Sequence, residues 1–249
     1  MTEAAITGSL EEGASDEHPP VGRALRRAAY LTAAVGLAFA VLFILAYWIG
    51  TSVPGANATD EQIRAFYTST GKRRLTLVAL YIMPFAGIAF LWFIVALRMW
   101  ISGSARRENV LFSNIQLVSG IVFIAMFFAS ASAFAAMAAS VEYAGAHVDP
   151  VVARQFPLYG STILFIFAMR MAAMFIFTTS TIGRNAGILP AWYTWAGYVV
   201  GIFLLLSATF NRALVLVFPV WVFTLCLLLI IRARQIPDDA ERPTRADAV

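Results

Sequence analysis

Long apolar blocks separated by short polar segments dominate this chain. The blocks show neither the two-residue alternation of a half-exposed strand nor the 3.6-residue period of a surface helix. Because lipid cannot satisfy open backbone groups, such blocks cross a bilayer as helices that rise about 1.5 Å per residue. The pattern predicts an all-α, polytopic transmembrane bundle of six helices, which run over residues 28–50, 75–97, 111–140, 158–182, 192–209 and 213–231.

The two ends of the chain are polar and fall outside this predicted bundle. Residues 1–22 contain five acidic residues and no Lys or Arg, which is typical of a disordered tail. Residues 236–249 form a second polar tail, so the expected transmembrane domain covers residues 23–235. The first block is over 20 residues long, against about 7 to 15 in the apolar region of a secretory signal, and we expect it to remain in the mature protein.

The first loop between apolar blocks contains a helix start signal. Thr59-Asp60-Glu61-Gln62 matches the capping-box pattern, and the apolar residues Ile63, Phe66 and Tyr67 follow at helical spacing. The loop is therefore expected to hold a short amphipathic helix that lies on the outer membrane surface.

Aromatic and small residues indicate where helices meet water and where they meet each other. Tyr47 and Trp48 are expected at the outer interface, and Trp192, Tyr193 and Trp195 at the inner one. Small residues that recur every four positions predict close helix contacts; these are Ala125, Ala129 and Ala133 in the third block, and Gly197 and Gly201 in the fifth.

Composition excludes several classes of function. The chain is 60% hydrophobic with a mean hydropathy of +0.76, which is far from the balance of a soluble domain. Cys226 is the single cysteine, so an internal disulfide and a thiolate metal cluster are excluded. His18 and His147 are the two histidines and both lie outside the blocks, which excludes a bis-histidine haem in the bilayer, and no cofactor or metal is expected.

Basic residues collect at the ends of the apolar blocks. They form no continuous stripe, so no nucleic-acid partner is expected despite the net charge of +4. Eleven of the 18 fall in the termini and the even-numbered loops, and six in the odd-numbered loops. By the positive-inside rule both termini are expected to be cytoplasmic, although the cluster Lys72-Arg73-Arg74 opposes this assignment.

Three stretches resemble recurring elements of small bacterial six-helix integral membrane proteins that have no assigned activity. These are Asp60 to Arg74, Phe90 to Arg98, and the G-x-L-P-x-W-x-x-W-x-G run from Gly187 to Gly197. The likeness spans roughly residues 31–201, and its motifs are moderately specific because membrane interfaces generally favour Trp, Arg and Pro. It implies a multi-pass protein of a bacterial inner (plasma) membrane and no particular activity.

Arg170 is the main candidate for a functional residue. It lies in the middle of the fourth block, where an ionised side chain costs roughly 2.5 to 3.5 kcal/mol on insertion scales, and none of the 14 acidic residues lies inside a block to neutralise it. One hypothesis is that Arg170, with Thr178 and Thr181 on the same helical face, binds a phosphate or carboxylate group. The alternative is an arginine held by backbone carbonyls, hydroxyls and aromatic faces inside the bundle.

Two polar clusters outside the blocks carry weaker hypotheses. Lys72, Arg73 and Arg74 are candidates for contact with lipid head groups, the alternative being ordinary anchors at a helix end. The third loop holds an acid, a histidine, a second acid and an arginine, which invites a metal or acid–base site; these are Glu142, His147, Asp149 and Arg154. One histidine without a second nitrogen or sulfur ligand makes a poor zinc site, so a solvated loop is the better interpretation.

The sequence therefore indicates a bilayer protein that binds or moves a lipid-like or anionic small molecule, with Arg170 as the charged contact. The alternative is a non-catalytic accessory or structural subunit that packs against a partner membrane protein or a second copy of itself. Enzyme activity is not expected, because no residue is placed to activate a nucleophile within the blocks.

Overall fold

A computed structural model describes residues 21–50, 53–54, 57–104, 110–207 and 211–235, and all its regular elements are helices. Both predicted polar tails lie outside the described residues, apart from Val21 and Gly22. The α-helices are α1 (Val21–Gly50), α2 (Asp60–Thr68), α3 (Thr70–Leu77), α4 (Met83–Ser104), α5 (Val110–Ala144), α6 (Pro150–Thr162), α7 (Met169–Asn185), α8 (Ala191–Leu206) and α9 (Val217–Arg234). π-helical segments at Val78–Ile82 and Ile163–Ala168 join α3 to α4 and α6 to α7, and a 3₁₀ helix, Arg212–Leu216, leads into α9.

Five helical stretches are long and apolar enough to cross a membrane, which supports a multi-pass helical protein in a lipid bilayer. They are Arg26–Gly50, Lys72–Ile101, Val110–Ala144, Pro150–Asn185 and Ala213–Arg234. The predicted fifth crossing is shorter than expected, because α8 has 16 residues and a length of about 24 Å. The fourth is longer than expected and begins at Pro150, since the Asp149 carboxylate accepts a hydrogen bond from the Val151 N–H at 2.8 Å and caps α6.

Five phenylalanines from five helices form the centre of the bundle. Each is fully buried, and the closest pairs are Phe39–Phe90, with ring centroids 4.5 Å apart, and Phe123–Phe218, at 4.8 Å; Phe175 completes the cluster. In lipid, helices associate chiefly through packing of this kind, because burying apolar surface brings little gain against an apolar solvent. The cluster therefore fixes the depth of α1, α4, α5, α7 and α9 relative to one another.

Close contacts along the bundle show how its helices run. Phe39 meets Phe90, and a Cβ on Gly36 would overlap Phe93 and the Cys226 sulfur, so α4 and α9 both run opposite to α1. The helices α5 and α7 are also antiparallel, and the Gln116 side chain of α5 donates to the Thr179 hydroxyl of α7 at 2.7 Å. We call the end where α1 finishes and α2 lies the α2 end, and the opposite end, where α7 and α9 finish, the α7 end.

The predicted amphipathic helix is confirmed as α2, but it packs on the bundle instead of lying free on the surface. The Thr59 hydroxyl accepts from the Gln62 N–H, and the Gln62 side chain accepts from the Thr59 N–H, which completes the capping box. The apolar face of α2 is buried at Ile63 and Tyr67, which contribute to a second apolar cluster with residues of the third and fourth spans.

The aromatic residues divide between the membrane interface and the interior. Trp48, Trp192 and Trp195 are exposed, as expected for interface residues, with Trp48 75% exposed. Tyr193 instead is buried and donates to the Trp221 carbonyl at 2.8 Å, so its expected interface position is wrong.

The two predicted small-residue contacts have different outcomes. A Cβ on Gly197 would overlap the Ser180 hydroxyl, and one on Gly201 would overlap the Phe177 ring, so the G-x-x-x-G pair lets α8 pack closely on α7. By contrast, Ala125 and Ala129 are exposed on α5 and Ala133 is partly buried, so this stripe does not form a buried helix contact within the described chain.

Candidate functional site

The α2 end contains a partly open cavity of about 390 Å³, a size in the range of small-molecule binding sites. Its walls come from the end of α1, from α2, from the second, third and fourth spans, and from the 3₁₀ helix before α9. Most described lining residues are apolar, including Phe43, Met83, Phe127, Leu164 and Val215. The cavity reaches from the polar cap of the bundle toward its phenylalanine core, so it combines an apolar interior with a more polar rim.

Both π-helical segments line this cavity. Val78 and Ala79 contribute from the first segment, and Leu164 and Phe165 from the second. The first ends directly before Met83-Pro84, and the Met83 N–H bonds the Val78 carbonyl, five residues back. Pro84 has no N–H to continue the regular ladder, which accounts for a widened turn at this point. Single π-helical turns occur frequently at functional sites, where they redirect side chains, and here two of them flank one cavity.

Tyr67 supplies an unpartnered polar group to the cavity wall. Its side chain is 2% exposed, and its hydroxyl has no hydrogen-bond partner among the described residues. Burial raises the pKa of Tyr67 to about 12, so the phenol is neutral and can donate at neutral pH. A buried hydroxyl without a partner costs free energy, roughly 1 to 3 kcal/mol, which a ligand acceptor in the cavity would recover.

Arg154 is the one charged residue among the described cavity-lining residues. Its Nη2 atom lies 2.7 Å from Asp60 Oδ1 and also donates to the Ala58 carbonyl at 2.7 Å. These contacts connect α6 to the first turn of α2 and to the residue before its cap. Arg154 therefore fastens α2 over the cavity, and its charge is already balanced by the Asp60 carboxylate.

The predicted head-group residues lie beside the cavity, near its outer rim. Lys72 pairs with Glu142 of α5 at 3.2 Å, while Arg73 and Arg74 are exposed and line a separate open depression with Trp48 and other residues of α1 and α3. A basic pair beside an exposed tryptophan is a suitable surface for lipid phosphates.

Arg170 lies outside the described lining of the cavity. Its Nη1 donates to the Ile166 carbonyl, one turn back on its own helix, at 2.6 Å, and the side chain is partly buried. It is on the face of α7 that packs on α8, since the same stripe includes Ala173 and Phe177, which approach Gly201.

The register of α7 and α8 places Arg170 at about the level where α8 ends. α7 and α8 are antiparallel, and continuing five residues beyond Gly201 brings Leu206, the last residue of α8, to the depth of Arg170. The final carbonyls of a helix lack helical partners and carry the negative end of its dipole. The charge of Arg170 is therefore complementary to a helix that ends within the bundle.

The two threonines grouped with Arg170 bond to their own helix. The Thr178 hydroxyl donates to the Met174 carbonyl at 2.8 Å, and the Thr181 hydroxyl to that of Phe177 at 2.9 Å. Thr181 also pairs with the Tyr198 hydroxyl at 3.1 Å, so it contributes to the contact between α7 and α8. The structure thus does not bring Arg170, Thr178 and Thr181 into the α2-end cavity.

The acid–histidine loop is not assembled into one cluster. Glu142 pairs with Lys72, Asp149 caps α6, Arg154 binds Asp60, and His147 is exposed. In the described part of the chain, no group of three potential metal ligands is found.

Sequence reasoning missed the cavity and the role of Tyr67 in it. The helical spacing of Ile63, Phe66 and Tyr67 indicated an apolar face, which on a packed helix becomes a wall, but a cavity depends on how far the facing helices stand apart. Comparison with known proteins finds no matching family model, curated protein or solved structure.

Proposed function

We propose that this protein binds a lipid-like molecule in the cavity at the α2 end. The observation that carries the proposal is a partly open, mostly apolar cavity of about 390 Å³ with a buried Tyr67 in its wall, whose hydroxyl has no partner among the described residues. An apolar pocket with a few placed polar groups is the usual form of a small-molecule site. The charged residue beside this site is Arg154, paired with Asp60, and not the expected Arg170.

The position of the cavity favours an amphiphile over a water-soluble ligand. Tyr47 lines it from the last turns of α1, next to the exposed Trp48, and tryptophan and tyrosine concentrate where hydrocarbon meets head groups. A molecule at this level would place its chain toward Phe43 and Phe127 and its polar end toward Tyr67 and Arg154. The exposed Arg73 and Arg74 would hold neighbouring lipid phosphates at the same level.

A substitution that fills the cavity tests the proposal. Ala79 is 3% exposed and lines the cavity, so Ala79→Phe should occupy the space that a ligand needs. Its matched control is Ala125→Phe, because Ala125 is exposed on α5 and faces outward. Both proteins would be purified in mild detergent, delipidated and examined by native mass spectrometry with added methyl palmitate.

We expect the wild type and Ala125→Phe to retain the ester and Ala79→Phe to lose it, with unchanged helical content by circular dichroism in all three. Binding by Ala79→Phe at the wild-type level would contradict the proposal, as would a wild-type protein that binds no amphiphile at all.

A further inference from the structure

The charges and donors around the cavity narrow the class of ligand. Arg154 is the one charged side chain among the described lining residues, and the Asp60 carboxylate lies 2.7 Å from it. An anionic head group would have to displace Asp60 or add a second negative charge beside it, and like charges in close contact repel each other even where, as here, both side chains of the pair are partly exposed. The ion pair therefore disfavours an anion in this site.

The donor that remains is neutral. Tyr67 lines the cavity, and its hydroxyl is buried and has no partner among the described residues, so a ligand acceptor that reaches it would satisfy a donor that is otherwise unpaired. A carbonyl oxygen accepts such a bond without bringing charge into an apolar space, whereas a phosphate or carboxylate would carry its full desolvation cost. The apolar residues around Tyr67 fit a hydrocarbon chain.

Resting on the proposed function, we infer that the ligand is a neutral amphiphile with a carbonyl oxygen, an ester or a quinone, that accepts a hydrogen bond from Tyr67. Asp60 and Arg154 then close the polar end of the site as a balanced pair and exclude anionic lipids from it. Anionic lipids would instead bind at the separate open depression that Arg73 and Arg74 line.

The test compares three probes on the delipidated full chain by native mass spectrometry: methyl palmitate, decylubiquinone and hexadecyl phosphate. The variant is Tyr67→Phe, which preserves the shape of the ring and removes the donor. The control is Tyr81→Phe, since Tyr81 is 57% exposed and does not line the cavity.

We expect one of the two carbonyl probes to bind more tightly than hexadecyl phosphate, and the tighter of them identifies the source of the carbonyl. Tyr67→Phe should weaken that binding about tenfold, because the carbonyl is left buried without a donor, and Tyr81→Phe should leave it unchanged.

Two results would overturn the inference and leave the proposed function standing. One is tighter binding of hexadecyl phosphate that Ala79→Phe abolishes. The other is carbonyl-probe binding that Ala79→Phe abolishes and Tyr67→Phe does not weaken. Failure of all three probes to bind the wild type would overturn the proposed function as well.

Discussion

Among single residues, Arg170 has the position with the highest free-energy cost, because its charge lies in the middle of an apolar span. Its surroundings suggest a structural role for this charge. The side chain lies on the α8-facing side of α7, at the depth where α8 ends and its last carbonyls lack helical partners. Open carbonyls in hydrocarbon cost several kcal/mol each, which is comparable with the cost of the charge itself. We infer that the guanidinium, which has five donors and bonds the Ile166 carbonyl with one of them, lowers both costs from its place beside the end of α8.

Replacing Arg170 by methionine should therefore destabilise the protein. We expect Arg170→Met to lower the free energy of unfolding by about 1 to 3 kcal/mol, measured by chemical unfolding in mixed micelles, and Arg170→Lys to lose less because it keeps the charge and donors. Arg184→Met is the control, since Arg184 is exposed and its guanidinium lies 5.9 Å from the Trp195 ring centre; its effect should stay within about 1 kcal/mol. A more stable Arg170→Met protein with lost ligand binding would restore Arg170 as a binding residue.

At the same scale, Arg170 shows what the sequence could and could not reveal. The sequence shows directly that Arg170 lies in an apolar block and that no carboxylate lies within the blocks. Both features identify it as an unusual residue. The sequence did not predict the short length of α8, because Ser207 and Thr209 are only weakly polar and the next strongly polar residue is Asn211. The hydrogen-bond partner that the structure shows for the charge is the Ile166 carbonyl of the same helical stretch, and a backbone acceptor has no signature in the sequence.

Among the elements, α8 depends on two glycines for its contact with α7. We expect Gly197→Ala to lower the free energy of unfolding by about 1 to 3 kcal/mol, because the added methyl group would overlap the Ser180 hydroxyl and push the helices apart. Gly50→Ala is the matched control, since a Cβ there meets nothing within 4 Å and alanine favours helix. Equal stability of the Gly197→Ala protein would show that α8 is not held by close packing.

The attachment of α2 over the cavity is a second property of an element that can be tested. Asp60→Asn weakens the contact with Arg154, and because both side chains are partly exposed, the free energy of unfolding should change by less than about 1 kcal/mol. Ligand release, measured by exchange of a deuterated methyl palmitate, should become about two- to fivefold faster because α2 opens more readily. Glu61→Gln, on the same exposed turn, is the control; equal release from both variants would argue against α2 as the covering element.

The same helix illustrates how far elements could be predicted. The capping box and the spacing of Ile63 and Tyr67 located α2 within the first loop, because both signals are local. The start of α6 at Pro150 was missed, because Arg154 and Gln155 interrupt the apolar pattern on the turn that faces α2. Local signals therefore located the helices, whereas the cavity arises from the distances between them.

For the whole molecule, the helix directions make the arrangement of its ends testable. α9 runs opposite to α1, so the described chain finishes at the α7 end, together with the start of α1 and the end of α7. The chain returns to the α7 end although α8 is short, because α8 leads away from that end and α9 leads back to it. The sequence predicts the same arrangement from six crossings, and the positive-inside rule predicts that this end is cytoplasmic.

Cysteine labelling can test both the arrangement of the helix ends and their orientation in the membrane. Cys226 is the single cysteine and is buried, so Cys226→Ala leaves a background without thiols. In that background, Asn57→Cys, Asn185→Cys and Gln235→Cys place single thiols at exposed positions of the α2 end, the end of α7 and the end of α9. We expect a membrane-impermeant maleimide, added to intact cells, to label only Asn57→Cys, and permeabilisation to expose the other two.

Labelling of Asn185→Cys and Gln235→Cys from opposite sides would mean that α8 does not carry the chain across the membrane. Labelling of both from outside, with Asn57→Cys protected, would keep the helix arrangement and reverse the orientation, so that the α2-end cavity would face the cytoplasmic leaflet and draw its ligand from there.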